Sequence, residues 1–135
     1  MNQDMRGRIL LVEDDELIRE SVILLLEFWG YEVKTSASGN DVFEILPDFK
    51  PHLILMDIHL GELNGRDICR KLKEDHCYSS IPVIVMSGEE GIYNSIVCEG
   101  ANDIILKPFD ERTLISRIER QFINSLHFKV EYNDL

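Results

Sequence analysis

Four sets of polar side chains each stand at the end of a separate apolar run. Glu13-Asp14-Asp15 follows Ile9-Leu10-Leu11-Val12, Asp57 follows Leu53-Ile54-Leu55-Met56, Ser87 follows Val83-Ile84-Val85-Met86, and Lys107 follows Ile104-Ile105-Leu106. Brought together, they would offer carboxylates, a hydroxyl and an ammonium. Carboxylates held close repel, so one pKa rises unless a cation stands between them. Mg²⁺ is suited to that place, because it is a hard ion that takes one or two carboxylates, keeps water and shares its shell with phosphate oxygens. A carboxylate beside such an ion is a nucleophile that can form an acyl phosphate. A hydroxyl and an ammonium match the charge spread over the three equatorial oxygens of a transferring phosphoryl group. The chemistry is then mostly positioning and charge neutralisation.

Each residue alone has a plainer reading. Asp57 is a turn aspartate, Glu13-Asp14-Asp15 a helix cap, Ser87 a turn hydroxyl and Lys107 a solvated charge. Their joint placement at successive strand ends is what favours a site.

The elements that must position these residues alternate along the chain. Arg8 to Val12 reads as a buried strand, followed by a helix that Asp14 or Asp15 can cap, with Leu17, Val22, Leu25, Leu26 and Phe28 mostly on one apolar face and Gly30 at its end. Tyr31 to Thr35 alternates as an edge strand does, and a second helix starts at Ser38-Gly39-Asn40-Asp41 and stops at Pro47. His52 to Met56 is apolar enough for a central parallel strand covered on both faces. Gly61 to Gly65 reads as a loop, and Arg66 to Glu74 as a helix turning Ile68, Cys69 and Leu72 inward. Val83 to Met86 is a fourth strand after Pro82, Glu90 to Cys98 a weaker helix closed by Gly100, and Asn102 to Leu106 a fifth strand. The last helix begins near Asp110 with Leu114, Ile118, Phe122 and Leu126 on one side, and His127 to Leu135 shows no period. Parallel strands alternating with helices predict an α/β sheet covered on both faces, with its binding crevice beyond the strands' carboxyl ends.

At 135 residues the chain is long enough for one core and too short for two ordinary domains. The longest apolar run, Val22 to Leu26, is far short of a membrane span. The polar stretch Met1 to Arg8 lacks the apolar core of a secretion signal, so a cytoplasmic protein is expected. Cys69, Cys77 and Cys98 lack paired zinc or dithiol spacing and read as thiols. A net charge of −11 argues against direct nucleic-acid binding and for protein or cation partners.

Five segments in order carry a family resemblance: Leu10-Leu11-Val12-Glu13-Asp14-Asp15, Met56-Asp57 with Leu63-Asn64-Gly65, Val85-Met86-Ser87-Gly88, Gly100-Ala101-Asn102-Asp103, and Lys107-Pro108-Phe109. From about Arg8 to Asn124 the chain resembles a response-regulator receiver domain of two-component signalling. The resemblance implies a flavodoxin-like, doubly wound five-stranded parallel sheet of order 2-1-3-4-5 with five helices, a receiver over residues 1–127 and a C-terminal tail over 128–135. It implies Asp57 as phosphoacceptor, and Glu13 and Asp14 as the acidic pair, one on the metal directly and one through water. The backbone carbonyl of His59 is a further ligand, with Mg²⁺ as the metal and Mn²⁺ as an alternative. Ser87 and Lys107 contact the phosphoryl oxygens, with Gly88 leaving room. The donor implied is a phosphohistidine on a sensor histidine kinase or histidine phosphotransfer protein, and the output is an effector protein or domain bound around the fourth helix, fifth strand and fifth helix. His59 and Glu89 are positions associated with acyl-phosphate lifetime. Three departures stand out: Ile104 where an aromatic switch is usual, Gly61 where proline is frequent and Asn64 in place of a frequent aspartate.

Rival readings are weaker. A phosphatase of the haloacid-dehalogenase kind usually needs a second aspartate two residues beyond the first, where this chain has His59. A flavodoxin-like flavin carrier needs a phosphate loop after the first strand, which is absent. A receiver that only binds proteins would be expected to lack Asp57 or Lys107. The expected role is therefore a signalling phosphoacceptor that catalyses its own modification, rather than a turnover enzyme.

Overall fold

The computed structural model describes residues 6–88 and 99–133. Its main sheet contains β1 (Gly7–Val12), β2 (Tyr31–Ser36), β3 (Leu53–Asp57), β6 (Val83–Ser87) and β7 (Asp103–Leu106). These five pair in parallel in the order β2-β1-β3-β6-β7, which is the expected order once the two short strands between β3 and β6 are counted. The helices are α1 (Glu16–Phe28), α2 (Val42–Phe49), α3 (Gly65–Glu74) and α4 (Glu111–Asn133), four among the described residues. The helix expected over Glu90 to Cys98 lies outside them.

Strand side chains alternate between two cores. Leu10, Val12, Ile54, Met56, Val83 and Val85 pack with Val42 and Leu46 of α2 and with Ile68, Cys69 and Leu72 of α3. Ile9, Leu11, Leu53, Leu55, Ile84 and Met86 pack with Val22 and Leu26 of α1 and with Leu114, Ile115 and Ile118 of α4. β3 and β6 are therefore buried at every position, as central strands covered on both faces must be. β2, at the edge, exposes Glu32 and Lys34.

Four local expectations are corrected. α2 does not stop at Pro47 but contains it and runs on to Phe49. The helix ends within two residues, so the missing N–H removes a bond only from its last turn. In α1, Leu17 and Phe28 are exposed and only Val22 and Leu26 are buried, because the helix is apolar on more than one side and the sheet covers one. The stretch read as a loop, Gly61 to Gly65, is the turn and second strand of a hairpin made by β4 (His59–Leu60) and β5 (Leu63–Asn64). Gly61 in its turn has φ 64°, a conformation closed to proline, whose ring holds φ near −65°. Finally, α4 continues through Asn133 rather than losing its order near His127, with neither Gly nor Pro between Glu111 and Asn133 to interrupt it. The side chain of Leu126, expected inward, lies outside the described set.

Candidate functional site

Beyond the carboxyl ends of β1, β3 and β7 lies a cluster of charge. Parallel register sets Val12 beside Met56 and Asp57 beside Met86, so the residues that close these strands arrive at one level. Lys107, immediately after β7, reaches across with Nζ 2.5 Å from Asp57 Oδ2 and 2.9 Å from Glu13 Oε1. Asp57 Oδ1 accepts the backbone N–H of His59 at 2.8 Å. Carboxylate oxygens of Glu13, Asp14 and Asp57 all lie within 4.8 Å of one another.

The three consecutive acids divide the work. Asp15 is the cap of α1, its Oδ1 accepting Ile18 N–H at 3.1 Å. That leaves the exposed Asp14 for the cluster, while Glu13 is fully buried. Arg19, one turn into α1, donates to the carbonyls of Glu13 and Asp14 at 3.0 and 3.4 Å and holds the loop that carries them.

Burial, followed by the charge of Asp57, pushes Glu13 up to about 7, even though its hydrogen bond to Lys107 acts in the opposite direction. Burial alone would lower Lys107, but its hydrogen bonds to Asp57 and Glu13 outweigh it and raise the ammonium above its usual value. Burial of Glu13 therefore outweighs the stabilisation that Lys107 gives its charged form.

Ser87 closes β6 as a buried residue, and its carbonyl accepts Lys107 N–H at 2.7 Å, which ties the two phosphate-facing candidates together through the backbone. The Lys107–Pro108 peptide is cis. His59 stands in β4 with its side chain exposed. Glu89 lies outside the described residues. Ile104, at the usual aromatic position, is buried in the core shared with Val83 and Val85.

Sequence reasoning missed the structural part of Gly65. A Cβ there would lie 2.7 Å from the Asp57 carbonyl oxygen and 2.8 Å from Ile58 Cα, so the start of α3 presses on the backbone of Asp57 and Ile58. Its N–H bonds the Ile58 carbonyl at 2.7 Å, and Asn64 caps the helix by accepting Arg66 N–H at 2.9 Å. A glycine after a capping residue, close behind a strand-end aspartate, was the available signal. Arg19 left no comparable trace, since its role depends on a backbone loop.

The model of the response regulator receiver domain matches residues 9–119. The phosphate regulon transcriptional regulatory protein PhoB of Pseudomonas aeruginosa is 36% identical over 118 residues, covering 85% of this chain and 52% of PhoB. The DNA-binding response regulator MtrA of Mycobacterium tuberculosis is 30% identical over 116 residues, covering 84% of this chain and 50% of MtrA. The chain thus spans about half the length of these curated relatives. Among solved structures, the receiver domain of sensor histidine kinase PA1611 from Pseudomonas aeruginosa, with a magnesium ion coordinated in its active site cleft, superposes with a TM-score of 0.78 at 26% identity. That match covers 85% of this chain and 96% of the PA1611 domain. A parallel sheet in this order, acids and a lysine meeting at its carboxyl edge, and a family match across most of the chain agree: the chain belongs to the response regulator receiver domains of two-component signalling.

Proposed function

We propose that the chain accepts a phosphoryl group on Asp57 from a phosphohistidine of a sensor histidine kinase or histidine phosphotransfer protein, in the presence of Mg²⁺. The observation that carries this reading is the contact of Lys107 with both Asp57 and Glu13, beside Asp14 at the carboxyl edge of the sheet. In the transfer, a carboxylate oxygen of Asp57 bonds to phosphorus as the phosphorus–nitrogen bond breaks, and the electron pair leaves with the imidazole. Lys107 is placed to follow the negative charge from the carboxylate to the incoming phosphoryl oxygens, and the Ser87 hydroxyl donates to another of them. The His59 N–H holds the carboxylate in orientation.

The acids fit the metal. They are hard oxygen donors, and Glu13, Asp14 and Asp57 bring their oxygens within 4.8 Å of one another, negative charge that a divalent cation would offset. Glu13, Asp14, Asp57 and the His59 carbonyl would hold the ion, with Mn²⁺ as a substitute. Bound there, it would supply Lewis-acid neutralisation of the transferring group. The magnesium in the PA1611 receiver supports this assignment.

We assign the chain a signalling role in which the acyl phosphate biases an effector-binding face, with autodephosphorylation resetting it and the flanks of the pocket, His59 among them, setting its lifetime. MtrA is DNA-binding as a whole protein. The receiver itself, at a net charge of −11, is not the part suited to grip a phosphate backbone. No helix among the described residues is long and apolar enough to cross a membrane; a cytoplasmic setting fits the role. We assign residues 1–127 to the receiver and 128–135 to a C-terminal tail, which α4 enters as far as Asn133.

Acetyl phosphate with Mg²⁺, followed by intact mass, tests the reading. The wild type gains one phosphoryl group and Asp57→Ala gains none. No gain by the wild type, or a gain that survives Asp57→Ala, overturns it.

A further inference from the structure

Besides the acidic cluster, metal-binding side chains meet at a second place among the described residues, the turn that follows α3. A carboxylate oxygen of Asp75, a ring nitrogen of His76 and the sulfur of Cys77 all lie within 4.8 Å of one another. Consecutive residues do not converge by default: in a strand their side chains alternate between faces, and in a helix they diverge by about 100°. Here the chain leaves α3 at Asp75 in an extended conformation and closes back at once. The Cys77 N–H donates to Asp75 Oδ1 at 2.8 Å and orients that carboxylate, while the N–H groups of Tyr78 and Ser79 donate to the Asp75 carbonyl at 3.0 and 2.8 Å.

The surroundings suit a cation and hold the turn still. The carbonyls that end α3 carry partial negative charge, and the exposed Glu74 adjoins them. Of the two lysines in that last turn, Lys71 is exposed to solvent and Lys73 is committed elsewhere. Lys73 Nζ donates to the carbonyls of Ser79 and Ile81 at 3.2 and 2.8 Å and to Asn102 Oδ1 at 2.9 Å, which straps the segment after the turn to α3. Tyr78 and Ile81 pack against the core, so an incoming ion need order little beyond the exposed side chains of His76 and Cys77.

The donors differ in kind from those at the carboxyl edge of the sheet. Three carboxylates suit a hard ion, whereas a thiolate, an imidazole and a carboxylate suit a borderline-soft one. We propose that Asp75, His76 and Cys77 bind a transition-metal dication of the Zn²⁺ class, with water in the fourth position. Zinc lies about 2.0–2.3 Å from such donors in a tetrahedron, which sets the donors roughly 3.3–3.8 Å apart; rotation of the exposed side chains closes the difference. Cys77 enters as the thiolate, its proton passing to solvent as the sulfur–metal bond forms. Cysteine spacing gives no sign of such a site, because only one cysteine takes part. The turn precedes β6 at the amino edge of the sheet, shares no residue with the acidic cluster and does not depend on the phosphoacceptor reading.

The test adds Co²⁺ and then Zn²⁺ to the full chain in excess Mg²⁺, which saturates sites made of oxygen alone. One Co²⁺ per chain is expected, with a sulfur-to-cobalt charge-transfer band that oxygen donors cannot produce, and Zn²⁺ should displace it. Cys77→Ser should remove the band, while Cys69→Ser with Cys98→Ser should keep it. His76→Ala and Asp75→Asn should each weaken binding at least about tenfold, the least that even an outer-shell partner contributes. Asparagine keeps an acceptor for the Cys77 N–H, so its effect reports on the ligand rather than on the turn. Zn²⁺ should also raise the urea midpoint of the wild type and not that of Cys77→Ser, whose metal-free midpoint should match the wild type. Absence of the band, its survival in Cys77→Ser, or affinity unmoved by His76→Ala overturns the proposal. Half an equivalent per chain with dimer formation also overturns it, since the ion would then lie between two copies.

Discussion

The two ends of the same sheet are built on opposite rules. At the amino end, Arg8 N–H bonds His52 Nδ1 at 3.0 Å, and the Arg8 Nε donates to the carbonyls of Phe49 and Lys50 at 2.9 and 3.0 Å. Phe122 packs against Tyr31 and His52, and Arg6 lies over the Tyr31 ring while pairing with Glu119. There, polar groups meet partners of matching kind around an aromatic cluster. At the carboxyl end, buried acids outnumber the lysine that serves them, and Glu13 is pushed up to about 7. One end pairs its polar groups with partners of matching kind, and the other gathers three acids around one lysine.

Exchanging the roles of the two ends should fail in a graded way. Lys107→Ala is the strongest test, with a fall of about a hundredfold in the rate of phosphorylation by acetyl phosphate, as expected for loss of one preorganised cation at the transition state. A rate within a fewfold of the wild type would mean that the carboxyl end does not depend on its lysine. Phe122→Ala should do the reverse and cost about 2 kcal/mol in urea unfolding, reduced from a full core deletion because the ring is only half-buried, with the phosphorylation rate unchanged. If that variant loses uptake while still folded, the two ends are not separable.

Asn64→Ala probes the boundary between the two regimes. Loss of the α3 cap should cost about 1 kcal/mol and leave Mg²⁺-dependent uptake in place, measured on the same sample. The smallest effect is a slope with pH. Glu13 binds its proton more tightly folded than unfolded, so its contribution to the stability of the metal-free protein is complete below about 4.5 and lost as pH rises through about 7. Unfolding in a chelator should show stability declining across that window, and excess Mg²⁺ should flatten the decline. A decline unaltered in Glu13→Gln would assign it to another group.

Most of the sheet was legible because central parallel strands leave an unambiguous trace: β3 and β6 are apolar at nearly every position and each ends on a polar residue. The meeting of Glu13, Asp14, Asp57 and Lys107 was legible for the same reason, since parallel strands place their ends at one level. α1 was not, because Leu17, Ile18, Val22, Ile23, Leu24, Leu25, Leu26 and Phe28 surround most of its circumference, and period alone does not say which side meets the sheet. The β4–β5 hairpin was missed because two-residue strands are too short to show alternation. Pro47 misled through a rule that holds for helix interiors and relaxes in a last turn. The division of labour among Glu13, Asp14 and Asp15 needed coordinates, since either aspartate satisfies the capping preference.

The bond from Gly65 N–H to the Ile58 carbonyl makes residues 58–65 a closed excursion that returns to its own starting point beside Asp57. Its tip, Gly61, has open space around it, whereas its base at Gly65 has none. The segment is thus divided into an open crown and a tightly packed neck. Insertions or altered turns at 61–62 should leave the Asp57 carboxylate where it is, so this stretch can be remodelled for new neighbours without moving the acidic cluster. Any side chain at 65 would press on the backbone of Asp57 and Ile58.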